Sequence, residues 1–213
     1  FEGRECGGHV GPRSSFSLWE AQLQRLAGFE HPEELRILFA GGIHDERSAA
    51  MVAALAAPLV ERGARVGVLM GSAYIFTDEA VTSGAIDEGY RQTAVACTGT
   101  ELVETAPGHA TRCAATPFVE AFRDERARLE ETGAESRDMW ATLERMNLGR
   151  LRIASKGLRR DAGELVPAGD EERAQTGMFM LGEVAALGFN LAPVPLEESL
   201  FELSVSGKLD DFL

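Results

Sequence analysis

Twice in succession the chain runs from a short apolar stretch into glycine and on into a helix-forming segment. "RILFA" (36–40) meets Gly41 and Gly42, and "VGVLM" (66–70) meets Gly71 and Ser72. Apolar runs without polar alternation are what a strand buried on both faces requires. Between the two runs Asp45 stands where an N-cap belongs, Glu46 to Arg62 reads as helix, and Gly63 follows as its terminator. Pro58 within that segment predicts a bend or a shortened last turn. A parallel neighbour is reached only through a crossover, so two consecutive strand, glycine, helix units restrict the chain to α/β architecture.

A strand that ends in glycine and opens a helix leaves amide N–H groups exposed at the turn, where the helix dipole adds to their attraction for an anion. Gly41, Gly42, Gly71 and Ser72 are therefore candidate binders of a phosphate. Eight-stranded α/β barrels frequently build phosphate sites from two such consecutive loops. A second reading is purely conformational: the glycines permit tight turns and bind nothing. Spacing alone does not separate the two.

The stretch "GRECGGHVG" (3–11) reads as a glycine-rich turn in which Gly7 and Gly8 let the backbone approach a flat ligand beside His9. Imidazole exchanges protons near neutral pH, which suits a catalytic role, although a histidine near a turn also serves as a surface or capping group. Cys6 has only His9 nearby as a base and nothing to orient that pair, so a small buried filler is its expected role. Cys6, Cys97 and Cys113 are odd in number and share no redox or metal spacing, which favours a reducing, cytoplasmic compartment. His31, His44 and His109 likewise form no ligand pattern, and no metal is expected.

Around this centre, Ser14 to Gly28 reads as a helix from Phe16, Trp19, Leu23 and Leu26, with Ser17 and Glu20 in capping-box spacing. From Thr77 onward the pattern is mainly helical, with candidates at 78–84, 87–96, 117–131 and 136–145. Residues 149–169 are basic and turn-rich, and amphipathic segments follow at 175–187 and 196–203. The cations Lys156, Arg159 and Arg160 suit either a phosphopantetheine arm or an acidic carrier protein on one reading, and a solvated face on the other. A net charge of -13 opposes nucleic acid and anionic membranes as partners. The longest apolar stretch, Ala49 to Val60, falls short of the roughly 20 residues that span a bilayer. The chain opens on Phe1 with no signal pattern, which suggests a piece of something longer.

"EGRECGGHVG", "LFAGGIHD" and "VLMGSAYIFTDEA", in this order, resemble the nitronate monooxygenase (2-nitropropane dioxygenase) family and its relatives, the flavin-dependent enoyl-acyl-carrier-protein reductases. "PRSSFSLWE" and "GMFMLGEVAAL" look like the branch associated with polyketide and polyunsaturated fatty-acid synthases. The resemblance implies a TIM barrel binding FMN, with the three motifs in the loops after its sixth, seventh and eighth strands. It implies His9 as the active-site histidine, Gly7 and Gly8 beside the flavin, and Gly41, Gly42, Gly71 and Ser72 on its phosphate. Where relatives commonly carry threonine, Ser72 keeps the hydroxyl, and Cys6 stands in a position that is often alanine.

The expected organisation is the C-terminal part of the barrel over 1–116, with about three of its eight strands, and a helical extension of the same domain over 117–213. The implied activity is FMN-dependent reduction of an enoyl thioester carried on a carrier protein among other synthase domains, with NADPH or NADH as reductant. Nitronate oxidation and an inactive, flavin-free fragment are the alternatives.

Overall fold

The computed structural model describes residues 1–187, so the amphipathic segment expected at 196–203 lies outside the described residues. The elements run β1 (Gly8–Val10), α1 (Ser15–Leu26), β2 (Arg36–Ala40), α2 (Glu46–Val60) and β3 (Arg65–Leu69). Three short helices follow, α3 (Ser72–Ile75), α4 (Asp78–Thr82) and α5 (Glu88–Val95), then strands β4 (Thr100–Glu104) and β5 (Ala110–Ala114). Helices α6 (Pro117–Glu131), α7 (Ser136–Asn147) and α8 (Arg150–Lys156) lead to a hairpin of β6 (Leu158–Asp161) and β7 (Glu164–Pro167), and then to α9 (Asp170–Thr176).

β2 and β3 are parallel, in a register that sets Ala40 opposite Leu69. Neighbouring strands lie about 4.8 Å apart, so the loops opening at Gly41 and at Met70 emerge side by side. The N-terminal residues continue this sheet on the other side of β2. The Gly3 amide donates to the Ala40 carbonyl and the Ala40 amide to the Phe1 carbonyl, each at 2.9 Å. Helices α1 and α2 cover one face, where Trp19 meets Phe39 edge-on at 5.6 Å above Val52 and Ala56, all buried. The opposite face is open: Leu38 and Leu69 are each 58% exposed. Burial on both faces, expected for these strands, is therefore not met within the described residues, and the sheet does not close on itself.

The α2 boundaries follow from local chemistry. The Asp45 carboxylate accepts from the Ser48 amide at 2.8 Å while the Ser48 hydroxyl accepts from the Asp45 amide at 3.1 Å, a reciprocal cap. Pro58 sits in the last turn and the helix stops at Val60, two residues before Arg62, the shortened end that the proline predicts. For α1 the expected box of Ser17 and Glu20 does not form. The helix starts at Ser15, whose amide donates to the Glu5 carboxylate at 2.8 Å, so a residue from outside the helix caps it.

The largest departure lies in the region read as mainly helical. Residues 100–104 and 110–114 form an antiparallel pair, and β1 adds to it with His9 opposite Thr111. "GGHV" is thus largely a strand. "ATRCA" carries none of the apolar signal of a core strand, yet every residue of β5 is buried. The basic stretch 149–169 folds as α8 and the β6–β7 hairpin. Within the segment read as amphipathic, 175–187, α9 ends at Thr176 and the chain runs without helix or strand through 177–182 before a short 3₁₀ turn at Glu183–Leu187. Met178, Phe179 and Leu181 are all buried there, and the Phe179 carbonyl accepts from Ala114 at 2.8 Å.

Candidate functional site

Gly7, Gly41, Gly42, Gly71 and Ser72 line one cleft of about 350 Å3. The single α2 crossover brings the two glycine loops there, because the parallel register ends β2 and β3 at the same level. Among the described residues, nothing accepts the amide hydrogens of Gly41, Gly42, Gly71 or Ser72. Unengaged backbone donors facing one space form a neutral cradle for an anion. The Ser72 hydroxyl accepts from the Gly182 amide at 2.7 Å, which leaves its own proton to donate.

The glycines of this cleft differ in what they do. Gly41 has φ +117, and a Cβ there would stand 2.2 Å from the Ser15 hydroxyl, so packing against α1 demands glycine whether or not a ligand binds. Gly71 has no atom within 4 Å of the same virtual position; its missing side chain opens onto space. At Gly7 a Cβ would meet the Gly182 amide at 2.6 Å. The close approach at Gly7 is therefore to the chain's own 181–182 backbone, a packing role that spacing did not reveal. Gly8 lines neither cleft described here, and its virtual Cβ lies 3.5 Å from the Met180 sulfur.

No lysine or arginine lines this cleft, and Glu2 and Glu5 do. The Glu5 carboxylate is turned onto the Ser15 amide and hydroxyl. Burial, together with the charges of Glu2 and Glu5, pushes the Cys6 thiol up to about 12. Cys6 is thus neutral at physiological pH, as a filler is and a nucleophile is not.

His9 opens onto an adjoining cleft of about 520 Å3, shared with His109, Thr111, Asn147, Arg152 and Met180. β1 sets this arrangement: alternation along the strand buries Gly8 and Val10 and exposes the imidazole between them. Thr111 lies directly across the ladder, and His109 is two residues further on the same side of β5. Met180 lines both clefts and is their common wall. Its backbone is fixed by the Tyr90 hydroxyl, which donates to the Met180 carbonyl at 2.8 Å.

Arg112, 5% exposed, ties the N-terminal segment to β4 and to the turn at Glu183. Its guanidinium donates to the Arg4 carbonyl at 2.9 Å and to the Thr100 hydroxyl at 3.0 Å, and pairs with Glu183 at 2.9 Å. Arg112, Met180 and Gly182 went unnoticed in the sequence because each acts through contacts with residues far along the chain. The basic run is engaged internally: Lys156 donates to the carbonyls of Gly84 and Ala85, Arg159 pairs with Asp161 and Glu172, and Arg160 donates to Gly163. Among the described residues no three His, Cys, Asp or Glu side chains gather as a metal site, and no helix is long and apolar enough to cross a membrane.

A family model described as nitronate monooxygenase matches residues 1–165. The structure of FabK from Thermotoga maritima is similar with a TM-score of 0.63 at 24% identity, covering 100% of this chain and 56% of that one. A methionine-to-alanine mutant of the same FabK gives a TM-score of 0.59 at 22% identity, covering 100% and 54%. The chain therefore spans about half the length of the solved structures it matches, and at this identity the likeness is one of fold. No curated protein matches.

Proposed function

Since this chain belongs to the nitronate monooxygenase family, we propose that it forms part of an FMN-dependent oxidoreductase whose reaction is the reduction of enoyl thioesters. The observation that carries this reading is the pairing of two clefts across Met180, one lined by unengaged backbone donors and the other holding an exposed imidazole. The donor set suits the FMN phosphate: amides of Gly41, Gly42, Gly71 and Ser72, the Ser72 hydroxyl, and open space at Gly71.

FMN held by the amides of Gly41, Gly42, Gly71 and Ser72 would supply the hydride chemistry for the β-carbon of the enoyl group, with NADPH or NADH as the reductant. His9 supplies the proton that the α-carbon gains, so that hydride and proton together saturate the double bond. Met178 and Met180, unbranched and adaptable, line the space where the acyl carbons would lie. We assign to the same reading a thioester presented by a carrier protein, other synthase domains as neighbours, and a cytoplasmic setting.

The family description supports a second reading, oxidation of alkyl nitronates, in which His9 would handle the proton next to the nitrogen-bearing carbon. Anaerobic turnover of a crotonyl thioester with NADPH or NADH, set against oxygen uptake with propionate 3-nitronate, separates them. The proposal expects thioester reduction. Turnover of the nitronate alone would replace it with the second reading, and a chain purified without flavin absorbance would remove both.

A further inference from the structure

On the open face of the β2–β3 sheet, charged and apolar side chains are laid out in bands. Gly3 turns toward the helices, since a Cβ there would strike Ser15 of α1, and Glu2 beside it turns the other way. The Glu2 backbone forms a parallel bridge with Ala40, which sets this acidic residue at the end of the face where the strands finish. Leu69 lies at the same level, opposite Ala40. Leu38 and Gly67 make the middle band: a Cβ on Gly67 would meet the Leu38 side chain at 2.9 Å. At the far end Arg36 and Arg65, both exposed, stand directly opposite each other in the ladder, where like charges repel. The ion pairs of the described residues engage none of Glu2, Arg36 and Arg65.

A face with an acidic end, an apolar middle and a basic end complements itself when turned end for end. From this we infer that the open face binds a second copy of the chain, about a two-fold axis that lies between the two sheets and runs across their strands. Sheets packed face to face stand about 10 Å apart, a gap that interdigitating side chains fill. This axis brings Arg36 of each copy toward Glu2 of the other and lays the Leu38 side chains together, covering apolar surface that now meets water. A two-fold axis along the strands would instead gather the arginine pairs of both copies, so charge selects the crossed arrangement. Glu2, Ala40 and Leu69 also line the amide cleft, so the partner's Arg65 arrives over Leu69 at the rim of a site that has no cation of its own. The inference stands apart from the enoyl thioester reading, since it uses neither His9 nor a bound flavin.

Sedimentation equilibrium of the purified chain tests it, with a dimer expected at a loading concentration of about 100 µM. Leu38→Asp puts a carboxylate into the apolar middle from both copies and should weaken the dimer about 100-fold or more. The circular dichroism of that variant should be unchanged, because Leu38 is exposed in the single chain. Glu2→Lys and Arg36→Glu should each weaken the dimer roughly tenfold, since each sets like charges together at both symmetry-related contacts. An equimolar mixture of these two variants should recover most of the lost affinity, because opposite charges then meet at every contact. A role confined to the single chain predicts no such recovery. The inference is overturned by a dimer indifferent to Leu38→Asp, or by charge variants that do not weaken it or that mixing does not rescue. It is overturned equally by an unmodified chain that stays monomeric, a result that needs no variant to fold and that would give the face to a different polypeptide.

Discussion

The two clefts that meet at Met180 recognise ligands by different means. One offers only backbone amides and a hydroxyl, has no cationic side chain, and tolerates Glu2 and Glu5 on its rim. The other is built from side chains on β1, β5, α7 and α8 and from the loops joining them, and holds His9, His109 and Arg152. An amide cradle depends on where the backbone turns, so glycines and strand register define it. A side-chain cleft depends on which residues long-range packing brings together. The first kind suits an unchanging group such as a cofactor phosphate, and the second suits a substrate whose chemistry must be selected and whose protons must be moved.

Substitutions break this comparison at different points. The largest effect is expected at His9: His9→Ala should lower turnover 100-fold or more, the range of a general acid, while flavin content stays unchanged. A kcat equal to that of the unmodified chain would take the imidazole out of the chemistry and leave the side-chain cleft without its function.

Within the amide cleft, Gly41→Ala and Gly71→Ala should part company. At Gly41 the positive φ and the approach to Ser15 predict a loss of about 2 kcal/mol or more in folding stability. At Gly71 a methyl group enters open space, so the denaturation midpoint should hold while flavin retention falls. Equal midpoints for the two variants would show that the glycines of this cleft are interchangeable, contrary to the geometry.

A smaller effect is expected from Ser72→Ala, which removes one donor to the phosphate and strips the Gly182 amide of its acceptor. Flavin-to-protein stoichiometry after dialysis should fall, by roughly tenfold in affinity, with a stability loss of about 1 kcal/mol. Ser72→Thr keeps the hydroxyl and should retain most of both. Stoichiometry unaffected by Ser72→Ala would leave the cradle to its amides alone.

Much of the amide cleft was legible in the sequence because its parts are local. "RILFA" before Gly41 and "VGVLM" before Gly71 announce strand ends, and Asp45 announces the helix between them. The side-chain cleft was legible only at His9. His109 carried no spacing signal, and Arg152 looked like one cation among several in a basic stretch. β5 was missed because "ATRCA" is not apolar; Arg112 within it is buried through three polar partners that sequence periodicity cannot display. The amphipathic reading of 175–187 does not register that Met178, Phe179 and Leu181 are all enclosed.

By itself, then, the amino-acid order determined the parallel β2–α2–β3 unit, its caps and its two glycine turns, since each follows from hydrogen bonds and steric freedom within a few residues. Tertiary structure alone decided that β1 pairs with β5, that Phe179 meets β5 at Ala114, and that Met180 stands between an amide cradle and an imidazole. Those outcomes depend on contacts between segments far apart in the chain, where burial and pairing outweigh local preference.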